Sequence, residues 1–195
     1  MKKFFFLPVL ILVLFVSCKK TDTSSSTACT GTSIGEFTFL KDGSKLTYDF
    51  QSLFGTDDTV VLSFTATSHP GVFLQKLNDI TSSTILEQVY TRECNGWLLN
   101  DKNTNPADSE KYVKETTVVG DTWRYFDPQS QNYGDYTVIK KNVSVTVSAG
   151  TFTCDKLIFN EEGTINTDTV YWNNTYNIIK YDGLLVSYSL INKNY

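Results

Sequence analysis

The sequence predicts an all-β protein: an antiparallel curved sheet forming a partly open barrel or sandwich, built from two tandem β-meander repeats. Three observations predict it. Apolar and polar residues alternate with period two through most of the chain, glycine-centred turn pairs separate the alternating runs, and landmarks in the first half return in order in the second.

The chain opens with Lys2 and Lys3, then an apolar run from Phe4 to Val16, then Ser17-Cys18. A charged start, a short apolar stretch and a small residue at the cut form an export signal, predicted over 1–17. The apolar run is too short for the ~20 residues that cross a bilayer as a helix. Cys18 after a Val-Ser pair resembles the lipobox of lipoprotein signal peptidase, with Phe15 where Leu is usual. Cys18 is thus the predicted lipidation site, and the partner it implies is a membrane held through a lipid anchor. Each buried acyl methylene contributes ~0.8 kcal/mol to such an anchor.

Residues 18–33 are crowded with Ser and Thr and carry almost no large apolar side chain, so they read as a flexible tether. Lys19 is not the Asp that resembles an inner-membrane retention signal, and no acidic run follows Cys18. The expected location is the cell envelope, at the outer membrane facing the periplasm. Removing Lys2 and Lys3 with the signal leaves 15 of the 17 basic residues against 21 acidic ones, a net charge of −6. An acidic chain with no basic face is not a nucleic-acid binder.

Residues 34–195 read as a single all-β domain. In Thr59–Ser68, Val60, Leu62, Phe64 and Ala66 share one face, and Val143, Val145, Val147 and Ala149 repeat the pattern. Period two with β-branched residues means half-buried strands, one face packed and one wet. Asp42-Gly43, Pro70-Gly71, Asn95-Gly96, Ala149-Gly150 and Asp182-Gly183 supply the turns.

Three landmarks carry the repeat. Gly43-Ser-Lys-Leu46-Thr-Tyr48 matches Gly120-Asp-Thr-Trp123-Arg-Tyr125; Pro70-Gly71-Val-Phe73 with Lys76-Leu77 matches Ala149-Gly150-Thr-Phe152 with Lys156-Leu157; Cys94-Asn-Gly96 matches Tyr181-Asp-Gly183. The copies run from about 35 to 106 and from 112 to 195, with the polar stretch Asn100–Glu110 as a linker between them. Phe73 and Leu77 are four apart, whereas Phe152 and Leu157 are five apart. Keeping both of the latter on the core face requires a β-bulge between Cys154 and Lys156, because a one-residue slip turns a strand over.

The strings Gly120-Asp-Thr-Trp123-Arg-Tyr125, Val143 to Leu157 with its Ala149-Gly150-Thr-Phe152-Thr-Cys154 centre, and Tyr181-Asp-Gly183-Leu-Leu resemble the TapB-like family of secreted β-rich bacterial lipoproteins. Cys94 with Asn95-Gly96, and an early cysteine such as Cys29, are similar to positions in its lipoprotein members. The resemblance implies a curved, partly open barrel or sandwich of unassigned function, and no catalytic residues.

Chemistry-bearing residues are scarce. His69, the only histidine, precedes the turn Pro70-Gly71 and reads as exposed punctuation rather than a base. One histidine and separated cysteines give no zinc spacing, so neither a metal nor another cofactor is expected. Asp57-Asp58 and Glu161-Glu162 read as solvated hairpin tips, and Asn100–Glu110 lacks the order of a calcium loop. The domain is therefore expected not to be an enzyme. With Cys18 acylated, Cys29, Cys94 and Cys154 remain, and an oxidising compartment pairs two of them. Cys154 shares a strand face with Phe152 and points inward, either bonded to Cys94 or buried as a thiol; the disulfide with Cys94 is the expectation, with Cys29 as the alternative partner.

Trp97, Trp123 and Trp172 are candidate ligand-facing aromatics, against the reading that they are core residues. The functional expectation is a non-catalytic domain holding a small apolar or amphipathic ligand in its concave face. The alternatives are a glycan- or peptide-binding lipoprotein with exposed Trp and Tyr, and a structural lipoprotein contacting an envelope protein through a sheet edge.

Overall fold

The computed structural model describes residues 34–53, 55, 57–80, 85–101, 109–127 and 132–194. The predicted signal, Cys18, the tether and Cys29 lie outside the described residues. No helix occurs among the described residues.

Twelve strands form one sheet: β1 Lys45–Ser52, β2 Asp58–Ala66, β3 Val72–Asp79, β4 Ile85–Arg92, β5 Trp97–Asp101, β6 Ser109–Lys114, β7 Thr122–Asp127, β8 Asn132–Val147, β9 Gly150–Glu161, β10 Thr167–Asn173, β11 Asn177–Asp182 and β12 Val186–Asn194. The order is β6-β5-β4-β3-β2-β1-β12-β11-β10-β9-β8-β7, antiparallel at every pair. First and last strands join, Lys45 opposite Asn194 and Ser52 opposite Val186. The sheet thus curls into a nearly closed barrel, with one seam between β6 and β7 that no backbone ladder crosses. Closure removes free edges everywhere except at that seam.

The alternation read in the sequence sets the inner face. In β2, Val60 and Leu62 face the interior and Phe64 is fully buried. The phase change expected in β9 falls where the spacing placed it: Phe152 and Cys154 are buried, then Leu157 and Phe159. The extra residues are carried by the partner strand, since β8 pairs Val143 with Cys154, Lys140 with Lys156 and Val138 with Leu157. Asn142, inside this irregularity, has a φ of 56°; asparagine tolerates that left-handed conformation better than most residues.

Counted in strands, the two halves are β1–β6 and β7–β12. The first two landmarks begin β1 and β7 and turn β2 into β3 and β8 into β9. The third pair is not equivalent: Cys94-Asn-Gly96 turns β4 into β5, whereas Asp182-Gly183 turns β11 into β12. Gly-centred hairpins are interchangeable at the level of short motifs, so the match aligned successive turns. Nor does Asn100–Glu110 link the copies, because Asn100 and Asp101 belong to β5 and Ser109 and Glu110 to β6. Its two ends are paired antiparallel within the first half.

One end of the barrel is filled by the chain entering it. Phe37, Phe39 and Leu40 are fully buried. Phe39 meets Phe64 of β2 at 5.4 Å and Trp172 of β10 at 5.9 Å between ring centres, spanning the lumen. Burying such side chains stabilises by about 1.5–3 kcal/mol each. Ser44 holds the turn out of this plug, its hydroxyl donating to the Phe39 carbonyl at 2.6 Å.

Candidate ligand cavity

Because alternate hairpins of a meander lie at opposite ends, the turns joining β2–β3, β4–β5, β8–β9 and β10–β11 share the plugged end. The turns after β1, β3, β9 and β11 lie at the other, as do the ends Asp101 of β5 and Ser109 of β6. Inner-face residues become less buried in that direction: along β3, Phe73 and Gln75 are buried and Leu77 and Asp79 half-buried. The lumen is therefore a cup, with a cavity of about 610 Å³ above the plug. That volume lies in the range of small-molecule sites.

Every strand except β10 lines it. Seven of the chain's eleven tyrosines do so: Tyr48, Tyr90, Tyr112, Tyr125, Tyr136, Tyr181 and Tyr188. A belt of rings runs around the lower wall, with centres 5.5 Å apart for Tyr90–Tyr112, 5.4 Å for Tyr112–Tyr125, 5.7 Å for Tyr125–Tyr136 and 4.7 Å for Tyr136–Phe159. The belt crosses the β6–β7 seam and lends it the continuity that backbone pairing does not. Burial, reinforced by the neighbouring Tyr112 and Tyr125 hydroxyls, holds the Tyr90 and Tyr136 phenols well above the usual tyrosine range. Nearer the mouth, Phe50, Tyr188 and Tyr181 form a cross-strand ladder of nearly parallel rings, 6.1 Å and 4.9 Å between centres.

Polar groups are few. The amide nitrogens of Gln75 and Asn100 both donate to Gln88 Oε1, at 3.5 and 3.3 Å, and Asn100 also donates to the Tyr125 hydroxyl at 3.1 Å. Their oxygens are left over: Gln75 Oε1, Asn100 Oδ1 and Asn177 Oδ1 are buried without a hydrogen-bond partner among the described residues. Buried polar atoms of this kind are uncommon and costly, about 1–3 kcal/mol each. Asp58 and Asp79 line the mouth, and the lining includes no Lys, Arg or His.

Exposed aliphatic side chains surround the mouth: Leu53 after β1, Ile80 after β3, Ile85 at the start of β4, Ile165 between β9 and β10, and Leu184 and Leu185 between β11 and β12. Val118 and Val119, between β6 and β7, are exposed at the plugged end.

The three tryptophans are elsewhere. Trp97 begins β5, Trp123 begins β7 and Trp172 is near the end of β10, so all lie toward the plugged end and none lines the cavity. Trp123 and Trp172 are buried, their indole nitrogens donating to the Tyr112 carbonyl at 2.9 Å and to Asn174 Oδ1 at 2.6 Å. Trp97 packs edge-on against Trp123 at 5.7 Å, with Lys111 over its ring. Aromatic type alone does not reveal depth along a strand. The tyrosines that do line the cavity carried a signal in their inward phase, as at Tyr48 and Tyr188 two residues from Phe50 and Leu190.

The cysteine pairing is also corrected. Cys154 is a free, buried thiol in the wall of β9, its pKa pushed up to about 12 by burial, with Asp155 adding to the effect. Cys94 is exposed in the β4–β5 turn and disulfide-bonded, its partner lying outside the described residues. An inward side chain in a strand and an exposed one in a turn do not meet, and the buried thiol is the form Cys154 takes. His69 lies exposed in the β2–β3 turn, its ring nitrogen 3.4 Å from the Ser68 hydroxyl. Among the described residues, no three His, Cys, Asp or Glu side chains converge to hold a metal ion.

Compared with known proteins, the chain matches no family model and no curated protein. The resemblance to TapB-like proteins rests on its quoted motifs.

Proposed function

We propose that this protein is a membrane-tethered, non-catalytic binding protein that holds one small amphipathic molecule in the cup of its barrel. Cys18 supplies the tether, in the envelope and facing the periplasm. The observation that carries the reading is the cavity of about 610 Å³, walled by tyrosine, leucine and valine and holding buried acceptors that nothing in the described protein satisfies. A core evolved for stability alone is close-packed, with voids seldom larger than a water molecule. A wall that is mostly ring and aliphatic surface, with a few placed polar groups, matches sites for small ligands.

The test is mass spectrometry of the intact protein taken from its own membrane in mild detergent, before and after unfolding. A second mass released on unfolding supports the reading and gives the ligand's class. A protein carrying nothing beyond the acyl chains on Cys18 counts against it and favours a structural role.

A further inference from the structure

Three features of the cup bear on what the ligand must look like, and they agree. Three amide oxygens in its lower part, Gln75 Oε1, Asn100 Oδ1 and Asn177 Oδ1, are acceptors without a hydrogen-bond partner among the described residues, on side chains at least nine-tenths buried. The mouth carries two acidic side chains, Asp58 and Asp79, and the lining includes no Lys, Arg or His. Exposed aliphatic side chains, among them Leu53, Ile80 and Leu184, stand around the mouth.

We propose that the ligand enters head first, with a hydrogen-bond-donating, non-anionic head group, a hydroxyl or an ammonium, seated at Gln75 and Asn100 and an apolar tail directed to the mouth. The inference rests on the binding reading above and narrows it. A donor satisfies acceptors whose desolvation is otherwise uncompensated. Tyrosine faces accept a cation as readily as they pack against methylene groups. A carboxylate or phosphate placed there brings more acceptors to acceptors and must pass two carboxylates, with no basic side chain in the lining to receive it. Fatty acids and phospholipid head groups are therefore the wrong chemistry for this floor.

The experiment uses the full-length protein kept soluble in a non-ionic amphipol, with the neutral dye 1-N-phenylnaphthylamine in the cup. Decanol, decylamine, decanoate and decane are titrated as competitors. Amphipol without protein gives the background from partition, and a Leu77→Trp variant, whose larger side chain narrows the cavity, is expected to lower the dye signal. Decanol and decylamine are expected to displace the dye at concentrations about tenfold or more below decanoate, one to two hydrogen bonds' worth of discrimination. Decanoate displacing as well as either overturns the proposal. In the double variant Gln75→Met, Asn100→Leu that gap is expected to close, while displacement by decane persists and shows that the cup is intact. A gap that survives the double variant removes the acceptors as its cause and also overturns the proposal. Failure of the binding reading itself looks different: dye signal that Leu77→Trp does not reduce, for every competitor alike.

Discussion

Trp123 and Tyr112 face each other across the one gap in the barrel, and the Trp123 indole N–H donates to the Tyr112 carbonyl at 2.9 Å where no backbone ladder joins β6 to β7. Around that bond the Tyr112 and Tyr125 rings lie 5.4 Å apart, and Asn100 on β5 reaches Tyr125 on β7. The seam is closed by side chains, so its strength depends on a few residues rather than on a row of amides.

Trp123→Phe keeps the ring and deletes the donor. It is expected to cost about 1–2 kcal/mol, from the lost bond and the smaller ring. Amide hydrogen exchange should accelerate in β6 and β7 far more than in β1 and β12, which share a full ladder. Uniform acceleration across the sheet would show that the seam is not a separate opening unit.

The start of the plug rests on an ion pair of the barrel. Arg92 Nε lies 2.6 Å from Glu115 Oε1, with both side chains mostly buried, and the Glu36 amide donates to the same oxygen at 3.4 Å. Gly35 passes directly over this pair with a φ of 62°, and a Cβ there would sit 1.6 Å from Glu115 Oε1. Gly35→Ala therefore combines a left-handed backbone with a clash, and is expected to destabilise by about 1–3 kcal/mol. Arg92→Met, which leaves a half-buried carboxylate without its cation, is expected to cost about 2–4 kcal/mol. Thermal unfolding measures both, and losses under 0.5 kcal/mol would mean the plug is not held this way.

Cys154 gives a prediction in pH. Its folded pKa is raised from 9.0 to about 12, so the folded protein holds the thiol proton more tightly than the unfolded chain does. The associated stability is fully present below pH 9 and is lost as pH rises toward 12. Tyr90 and Tyr136, raised above 10.0, act in the same direction at higher pH. Cys154→Ala should flatten the alkaline fall in unfolding free energy between pH 9 and 11. At pH 8 the native thiol should resist an aromatic disulfide reagent and react only on unfolding. Rapid labelling of the folded protein would contradict the buried placement.

How much of this was legible in the sequence depends on the range of the interaction concerned. Val60, Leu62 and Phe64 announced an inner face, and the five-residue spacing of Phe152 and Leu157 announced a phase change, because both are consequences of a local period of two. The pairing of β1 with β12 and the plug at Phe39 are decided by contacts far apart in the chain, which no local pattern encodes. The site followed the same division. That it would be a concave apolar face could be read from alternation, but which aromatics line it could not. Depth along the strand separates Tyr48, in the cup, from Trp172, under it, and depth is set by the plug. Cys94 and Cys154 illustrate the same point: the Asn95-Gly96 turn and the inward strand face were legible locally, whereas which cysteines pair is a contact far apart in the chain.

Gly134 and Phe159 connect stability to the shape of the cup. Gly134 faces inward on β8, and a Cβ there would lie 2.3 Å from the Phe159 ring and 2.9 Å from the Asn160 carbonyl. The ring fits over that bare backbone, against Tyr136 at 4.7 Å, and in this position forms part of the cavity wall. Gly134→Ala must push the ring toward the lumen, since the backbone behind it is held by pairing with β7 and β9. The expected cost is about 1–3 kcal/mol, as for other insertions into a filled space. A second variant, Gly134→Ala with Phe159→Leu, relieves the clash and should recover most of that stability while enlarging the cup. Thermal unfolding separates the two effects, and dye capacity follows the cavity: reduced in the single variant, restored in the double. Equal stability in the single variant and the parent would mean that the Phe159 ring does not rest on Gly134, and that the wall of the cup is set elsewhere.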